Sequence, residues 1–250
     1  MLIDVHTHLI YTDEQYYKEQ MDILRKRYGV DRAIVSTLLS YEPSEEEVVA
    51  CNDATYQYMQ ERPDYISGLC YLSPRHSNAV AELNKRLDQG FVGVKLWVST
   101  LCDDALVDPI AQVCTQRIVP VLIHTFYKAV GQLPYESRGE HVANLARRFP
   151  ELKLIMAHLG ASAFRELSPV KDLPNVYVDF SGAICHADAL PFAIELLGSD
   201  RILFGSDSPI IGFHPSYGQL LDADLSVEQL EDISWRNADR LFFGGQYGAV

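Results

Sequence analysis

The sequence predicts an α/β chain closed as a (β/α)8 TIM barrel, in a single domain covering residues 1–250. Three observations lead there. Apolar strand-like runs alternate with segments of helical period along the whole chain, the pattern of a parallel sheet with crossover helices. The length, 250 residues, is the usual size of such a barrel. No low-complexity stretch, long linker or block of charge marks a domain boundary.

Taken in order, strands are predicted near residues 2–8, 32–39, 66–72, 91–98, 120–125, 153–158, 176–180 and 201–206. Between them, Thr12 with Gln15 and Ser44 with Glu47 have the spacing of capping boxes that open the first two helices. Val48, Asn52, Tyr56 and Met59 share one face of the second helix, which stops before Pro63. Leu145 and Phe149 pack the fifth helix before Pro150, and Leu190, Ile194 and Leu197 pack the seventh before Gly198. Ser226 with Gln229 opens a closing helix that carries Leu230, Ile233 and Leu241.

Chemistry enters at the strand ends. His6 and His8 stand two apart on the first strand, so regular alternation points both imidazoles one way and Ile3, Val5 and Thr7 the other. Such a pair suits a borderline divalent cation, although His-x-His alone is a weak signal. Three later apolar runs each end on one metal-capable residue: Val119 to His124, Leu152 to His158 and Arg201 to Asp207. A lone histidine closing a strand is commonly only hydrogen-bonded in place, but four strands ending this way are hard to dismiss. If those strands run side by side and parallel, His6, His8, His124, His158 and Asp207 meet at the C-terminal mouth, where barrel active sites sit. Counting back by twos places Leu122, Met156 and Leu154 on the barrel side, with Ile123 and Ile155 toward the helices. The same count gives Asp4 the parity of His6, one layer deeper, as an orienting or buried hydrogen-bonding group; Asp179 closes the seventh strand and can support the ligands.

Composition excludes several classes. With 21 basic against 34 acidic residues the net charge is −13, and no basic cluster exceeds Arg25-Lys26-Arg27, which argues against a nucleic-acid partner. No apolar run approaches the roughly 20 residues of a membrane span, and a strand starting at Leu2 leaves no room for a signal peptide, so a cytoplasmic location is expected. Cys51, Cys70, Cys102, Cys114 and Cys185 are odd in number and lack a C-x-x-C pair, so they are expected to be reduced and mostly buried. Subunit count is not specified; a homodimer is the commonest oligomer.

The stretches Ile3-Asp4-Val5-His6-Thr7-His8, Gly90 to Leu96, Val121 to His124, Met156-Ala157-His158-Leu159-Gly160, Asn175 to Asp179 and Arg201 to Pro209 together resemble the metal-dependent hydrolases of the amidohydrolase superfamily. Within it, the chain is most similar to the group of 2-pyrone-4,6-dicarboxylate lactonase and aminocarboxymuconate semialdehyde decarboxylase. The resemblance implies that His6, His8, His124 and Asp207 ligate one divalent metal, with His158 as a nearby acid/base and Asp207 as a proton acceptor. Zinc is the first choice, and manganese, iron or cobalt fit the same donors. In binuclear relatives a carboxylated strand-4 lysine bridges two ions, which would make Lys95 and His158 second-metal candidates. A plain Lys95 would instead pair with a substrate carboxylate.

Tyr71, Trp97, Phe126, Tyr127, Tyr135, Arg138, His186 and His214 follow strand ends where loops would roof a pocket. Of these, Tyr71, Trp97 and Arg138, with Lys95, are the substrate-binding candidates, Arg138 because a guanidinium binds a carboxylate bidentately. Residues 131–139, with Pro134, form the candidate lid.

The expected function is metal-dependent hydrolysis of a small lactone, ester or amide bearing a carboxylate, since a bound cation activates water and polarises a carbonyl together. The alternative is non-oxidative decarboxylation of an unsaturated or aromatic carboxylic acid. It is placed second because decarboxylase relatives carry longer insertions after the early strands. A nuclease of the related TatD group would use glutamates on later strands, where strand 4 here offers Lys95. A barrel kept only for binding would have lost ligands, and the expected ones are all present.

Overall fold

A computed structural model describes residues 1–182 and 186–248. Eight strands follow one another around a single sheet: β1 (Ile3–Ile10), β2 (Arg32–Leu38), β3 (Ile66–Leu72), β4 (Gly93–Leu96), β5 (Val121–Ile123), β6 (Leu154–Met156), β7 (Val176–Asp179) and β8 (Ile202–Leu203). Every neighbouring pair is parallel. The sheet closes between β8 and β1, where Val5 N donates to Phe204 O (3.0 Å), Asp207 N to His6 O (2.8 Å) and His8 N to Ser208 O (2.8 Å). The chain is therefore a (β/α)8 barrel, and closure leaves no exposed sheet edge.

The connections are α1 (Glu14–Tyr28), α2 (Glu45–Glu61), α3 (Ala79–Asp88), α4 (Asp108–Arg117), α5 (Gly139–Arg148), α6 (Ala163–Glu166), α7 (Ala189–Leu197), α8 (His214–Asp222), α9 (Val227–Glu231) and α10 (Asn237–Phe242). Capping boxes form at Ser44 with Glu47 and at Ser226 with Gln229. Thr12 does not cap α1: Tyr11–Asp13 make a tight turn of their own, the helix starts at Glu14, and the Gln15 amide donates to Glu19. Among the described residues no helix is long and apolar enough to cross a membrane. Cys51, Cys70, Cys102 and Cys114 are free and buried, and Cys185 lies outside the described residues.

The lumen is filled by Ile3, Val5, Ile34, Leu69, Leu122, Ile155, Ala157 and Leu203, which come from different strands and pack on one another. Arg32 lies over the rings of Phe243 and Tyr247 near the closing helix α10. Two inward sets differ from the expected ones. On β1 the ladder shifts register between Asp4 and Thr7, so Ile3 and Val5 face the lumen, and His6 and His8 face it too. Asp4 turns instead to Ser206, three residues past β8. On β6 the inward residues are Ile155 and Ala157, whereas Leu154 and Met156 pack with the helices.

Candidate metal centre

Strict alternation would therefore carry His158 outward. It reaches the mouth because residues 158–161 turn left-handed, with φ of 61° at His158, 47° at Leu159, 65° at Gly160 and 62° at Ala161. A non-glycine residue in that region costs about 1–2 kcal/mol. The surroundings hold the turn: Asp179 Oδ1 accepts from His158 N (3.0 Å), and Gly160 O accepts from Tyr127 N (2.9 Å). Gly160 is required there, since a Cβ would sit 2.5 Å from Glu166 Cβ. Asp207 also has positive φ (63°). Its neighbour Ser206 is tied to the buried Asp4 carboxylate through N (3.1 Å) and Oγ (2.5 Å), which locks the segment after β8 against β1. Burial pushes the Asp4 carboxyl up to about 7 despite those hydrogen bonds.

The hydrogen bonds behind each imidazole decide what it presents in front. His6 Nδ1 meets Asp179 Oδ2 at 3.0 Å, His8 Nδ1 meets Ser36 O at 3.0 Å, His158 Nδ1 meets Ser181 O at 3.2 Å, and His124 Nε2 meets Glu136 Oε1 at 3.0 Å. Carbonyl and ionised carboxylate oxygens only accept, so each of these nitrogens carries the hydrogen and its partner in the ring keeps a lone pair. The lone pairs converge. His6 Nε2 and His8 Nε2 are 3.1 Å apart, and His124 Nδ1 and His158 Nε2 are 3.2 Å apart. Asp207 Oδ1 adds a carboxylate at 3.2 Å from His8 Nε2 and 3.7 Å from His6 Nε2.

Lone pairs of His6, His8 and the Asp207 carboxylate face one another beside the Lys95 ammonium, and those of His124 and His158 form a second such pair, arrangements that positive charge stabilises. The donor set thus fits a divalent metal of borderline softness. Burial lowers all four imidazoles, His8 and His158 to about 4, so they are neutral and ready to donate near pH 7. Burial works against the Asp179 anion, but His6 Nδ1–H and Ser181 beside it hold its carboxyl well below the usual range. Ligand atoms of His6, His8 and Asp207 lie within 4.8 Å of one another, as do those of His6, His158 and Asp179. The second grouping is best read as support, because Asp179 binds the back of His6 and receives the backbone N–H groups of His158 and Ser181.

His6, His8, His124 and Asp207 line a cavity of about 250 Å3 with Lys95, Trp97, Phe126, Lys128 and Glu136. His158 stands behind His124, its ring 5.0 Å from that of His124 and 4.9 Å from that of His6. The Lys95 ammonium is buried 2.6 Å from His6 Nε2, and burial brings it down to about 8. Two substrate-binding candidates are not brought to the cavity. Tyr71 is fully buried and donates to Ser40 O (3.1 Å), and Arg138 pairs with Glu166 (3.0 Å) under the Tyr127 ring. His214 is likewise turned to Tyr28 Oη (2.6 Å). A second hollow of about 430 Å3 continues outward, sharing Tyr41, Val98 and Leu133 with the first and bounded by Pro134 and Tyr135 from the candidate lid.

Sequence reasoning missed Glu136, Lys128 and Ser181. Glu136 had a usable signal, being the one carboxylate in residues 131–139. Ser181 works partly through its main-chain oxygen, which no residue type announces.

The sequence matches the model of the family described as Amidohydrolase over residues 3–244. No curated protein matches it. Among solved structures, 2,6-dihydroxybenzoate decarboxylase from Rhizobium is similar at 19% identity and TM-score 0.76, covering 96% of this chain and 98% of that one. A dihydroxybenzoic acid decarboxylase from Polaromonas with bound manganese and 2-nitroresorcinol gives 19%, 0.76, 96% and 96%. The 4-oxalomesaconate hydratase from Rhodopseudomonas palustris gives 21%, 0.70, 97% and 95%.

Proposed function

The chain belongs to the amidohydrolase family, and from that premise we propose that it is a divalent-metal-dependent, non-oxidative decarboxylase of a small aromatic or unsaturated carboxylic acid. The observation that carries this reading is the cavity itself. It is small, about 250 Å3, with the aromatic side chains of Trp97 and Phe126 and the ammonium group of Lys95 beside the imidazoles, while the Lys128 ammonium is paired with Glu136. Aromatic faces suit a flat ring, and cations suit a carboxylate. Two of the similar structures are decarboxylases of dihydroxybenzoates, which supports the same substrate class. The expected preference for hydrolysis rested on the short connection between β1 and β2. Decarboxylases are nonetheless among the structures similar to this chain.

His6, His8, His124 and Asp207 would hold the metal, with manganese or zinc as the candidates. When bound, the cation supplies positive charge and Lewis acidity that favour the substrate's oxygen anions. Lys95 supplies a second positive charge for the carboxylate. In the reaction the bond to the carboxylate carbon breaks, its electron pair stays on the substrate carbon, and that carbon takes up a proton as carbon dioxide leaves. The net cost is one solvent proton for each carboxylate lost. Asp207 lines the cavity and carries that proton to carbon, and His158 acts on it from behind His124, through the His124 ring that its Nε2 faces.

The test is to supply metal-loaded protein with hydroxybenzoates in heavy water, beside a panel of lactones, esters and amides. Release of carbon dioxide, with one deuterium on the carbon that lost it, is expected. Hydrolysis of a panel member with incorporation of oxygen from labelled water, and no carbon dioxide, would replace this reading with the hydrolase one.

A further inference from the structure

We propose that Glu136 is a positioning residue of the metal centre: its carboxylate, carried by the loop that roofs the cavity, holds the His124 ring with Nδ1 facing inward. The proposal rests on the metal-dependent reading above. Glu136 is only 3% exposed, and its Oε1 lies 3.0 Å from His124 Nε2. The opposite nitrogen, His124 Nδ1, is the one that faces His158 Nε2. A ring that presented Nε2 inward would have to flip away from Glu136 and leave a buried carboxylate short of a donor.

The main chain fixes the carboxylate in place. Residues 125 and 137 form a parallel bridge just past β5, Phe126 N donates to Ser137 O (2.9 Å), and Cys102 N donates to Ser137 Oγ (2.9 Å). Glu136 is thereby set one residue before the pinned Ser137, opposite the segment that carries His124. Its remaining lone pairs are filled by Lys128 Nζ (2.8 Å) and Gln132 Nε2 (2.9 Å). A carboxylate so occupied is a poor direct ligand and a good acceptor for an imidazole N–H, and such carboxylate–histidine pairs fix tautomer and orientation. His6, His8 and His158 are backed from β7, from β2 and from the residue two past β7. His124 alone among these four is backed by a side chain of the roof loop, so roof and metal grip are one construction.

Chelator competition with manganese and with zinc tests this in wild type, Glu136→Gln, His124→Ala and the double variant. Glu136→Gln should weaken metal affinity by about 10–100-fold, with the thermal unfolding of the metal-free protein unchanged. In the His124→Ala background the same substitution should cost less than about threefold, as expected for residues acting as one unit. Unchanged affinity in Glu136→Gln, or an equal loss with and without His124, overturns the proposal. Nitrogen-15 spectra of the zinc-loaded wild type give a check that needs no variant. The Nε2–H tautomer of His124 is expected, and the Nδ1–H tautomer would overturn the assignment. A wild type that takes up neither metal sinks the metal-dependent reading, and this proposal with it, whereas retained affinity in Glu136→Gln sinks this proposal alone.

Discussion

The two sides of the candidate metal centre are built differently. On the β1/β8 side, His6 and His8 lie within β1 and Asp207, four residues past β8, is tied back to β1 through its N–H to His6 O; the supports of the two histidines, Asp179 and Ser36 O, come from strands as well. On the β5/β6 side, His124 and His158 lie one and two residues past their strands. There the supports are a loop glutamate, the main chain after β7 and a left-handed turn. The two histidines of the first side are therefore preformed by the sheet, with Asp207 pinned to it by one main-chain bond. The second side depends on loop conformation, and it is the side on which mutation can separate metal binding from turnover.

The largest effect is expected on the sheet side. His8→Ala should lose stoichiometric metal and all activity together while circular dichroism reports a folded barrel; metal analysis that still finds one ion per chain would break the comparison. On the other side, His158→Gln should cut turnover by about 10²–10⁴-fold and keep the metal, as kinetics and metal analysis on one sample would reveal. Asp179→Asn sharpens the contrast. Fully buried Asp179 accepts from His6 and from the main chain of His158 and Ser181. Removing its charge should lower metal affinity by about 10–100-fold and also destabilise the metal-free protein by about 1–3 kcal/mol in urea unfolding. Glu136→Gln should spare stability.

The smallest effect is on pH dependence. His8 and His158 have folded values near 4 against an ordinary 6.5, so between pH 6.5 and 4 the unfolded chain binds protons that the folded chain refuses. Stability of the metal-free protein should fall on acidification through that window, and the lowered His6 and His124 act in the same direction. Asp4 opposes them: its folded value near 7 exceeds the ordinary 3.8, so its protonation favours the folded state as pH falls. Several histidines outweigh one aspartate. Urea midpoints that stay level or rise from pH 6.5 to 4 would contradict this balance.

What could be read from sequence follows the same division. That His6, His8, His124 and Asp207 gather at one cavity was legible because they sit on or just past apolar strand runs, and strand order brings such positions to one face. The β1 register shift and the turn at His158 were not, since both break alternation through backbone geometry that no residue type requires. They placed Asp4 toward Ser206 and made Ile155, rather than Met156, the lumen residue. Loop side chains were harder still. Arg138 has the right chemistry for a carboxylate, but Glu166 is nearer and takes it. Glu136 and Lys128 sit in the same loop region without any periodic pattern to single them out.

The left-handed backbone at His158 and Asp207 sets a trap for protein engineering. Both positions carry a torsional penalty that glycine would not. Selection for heat resistance alone is thus drawn toward replacing those two side chains, and a library screened by melting temperature without an activity filter would enrich for well-folded, inert barrels.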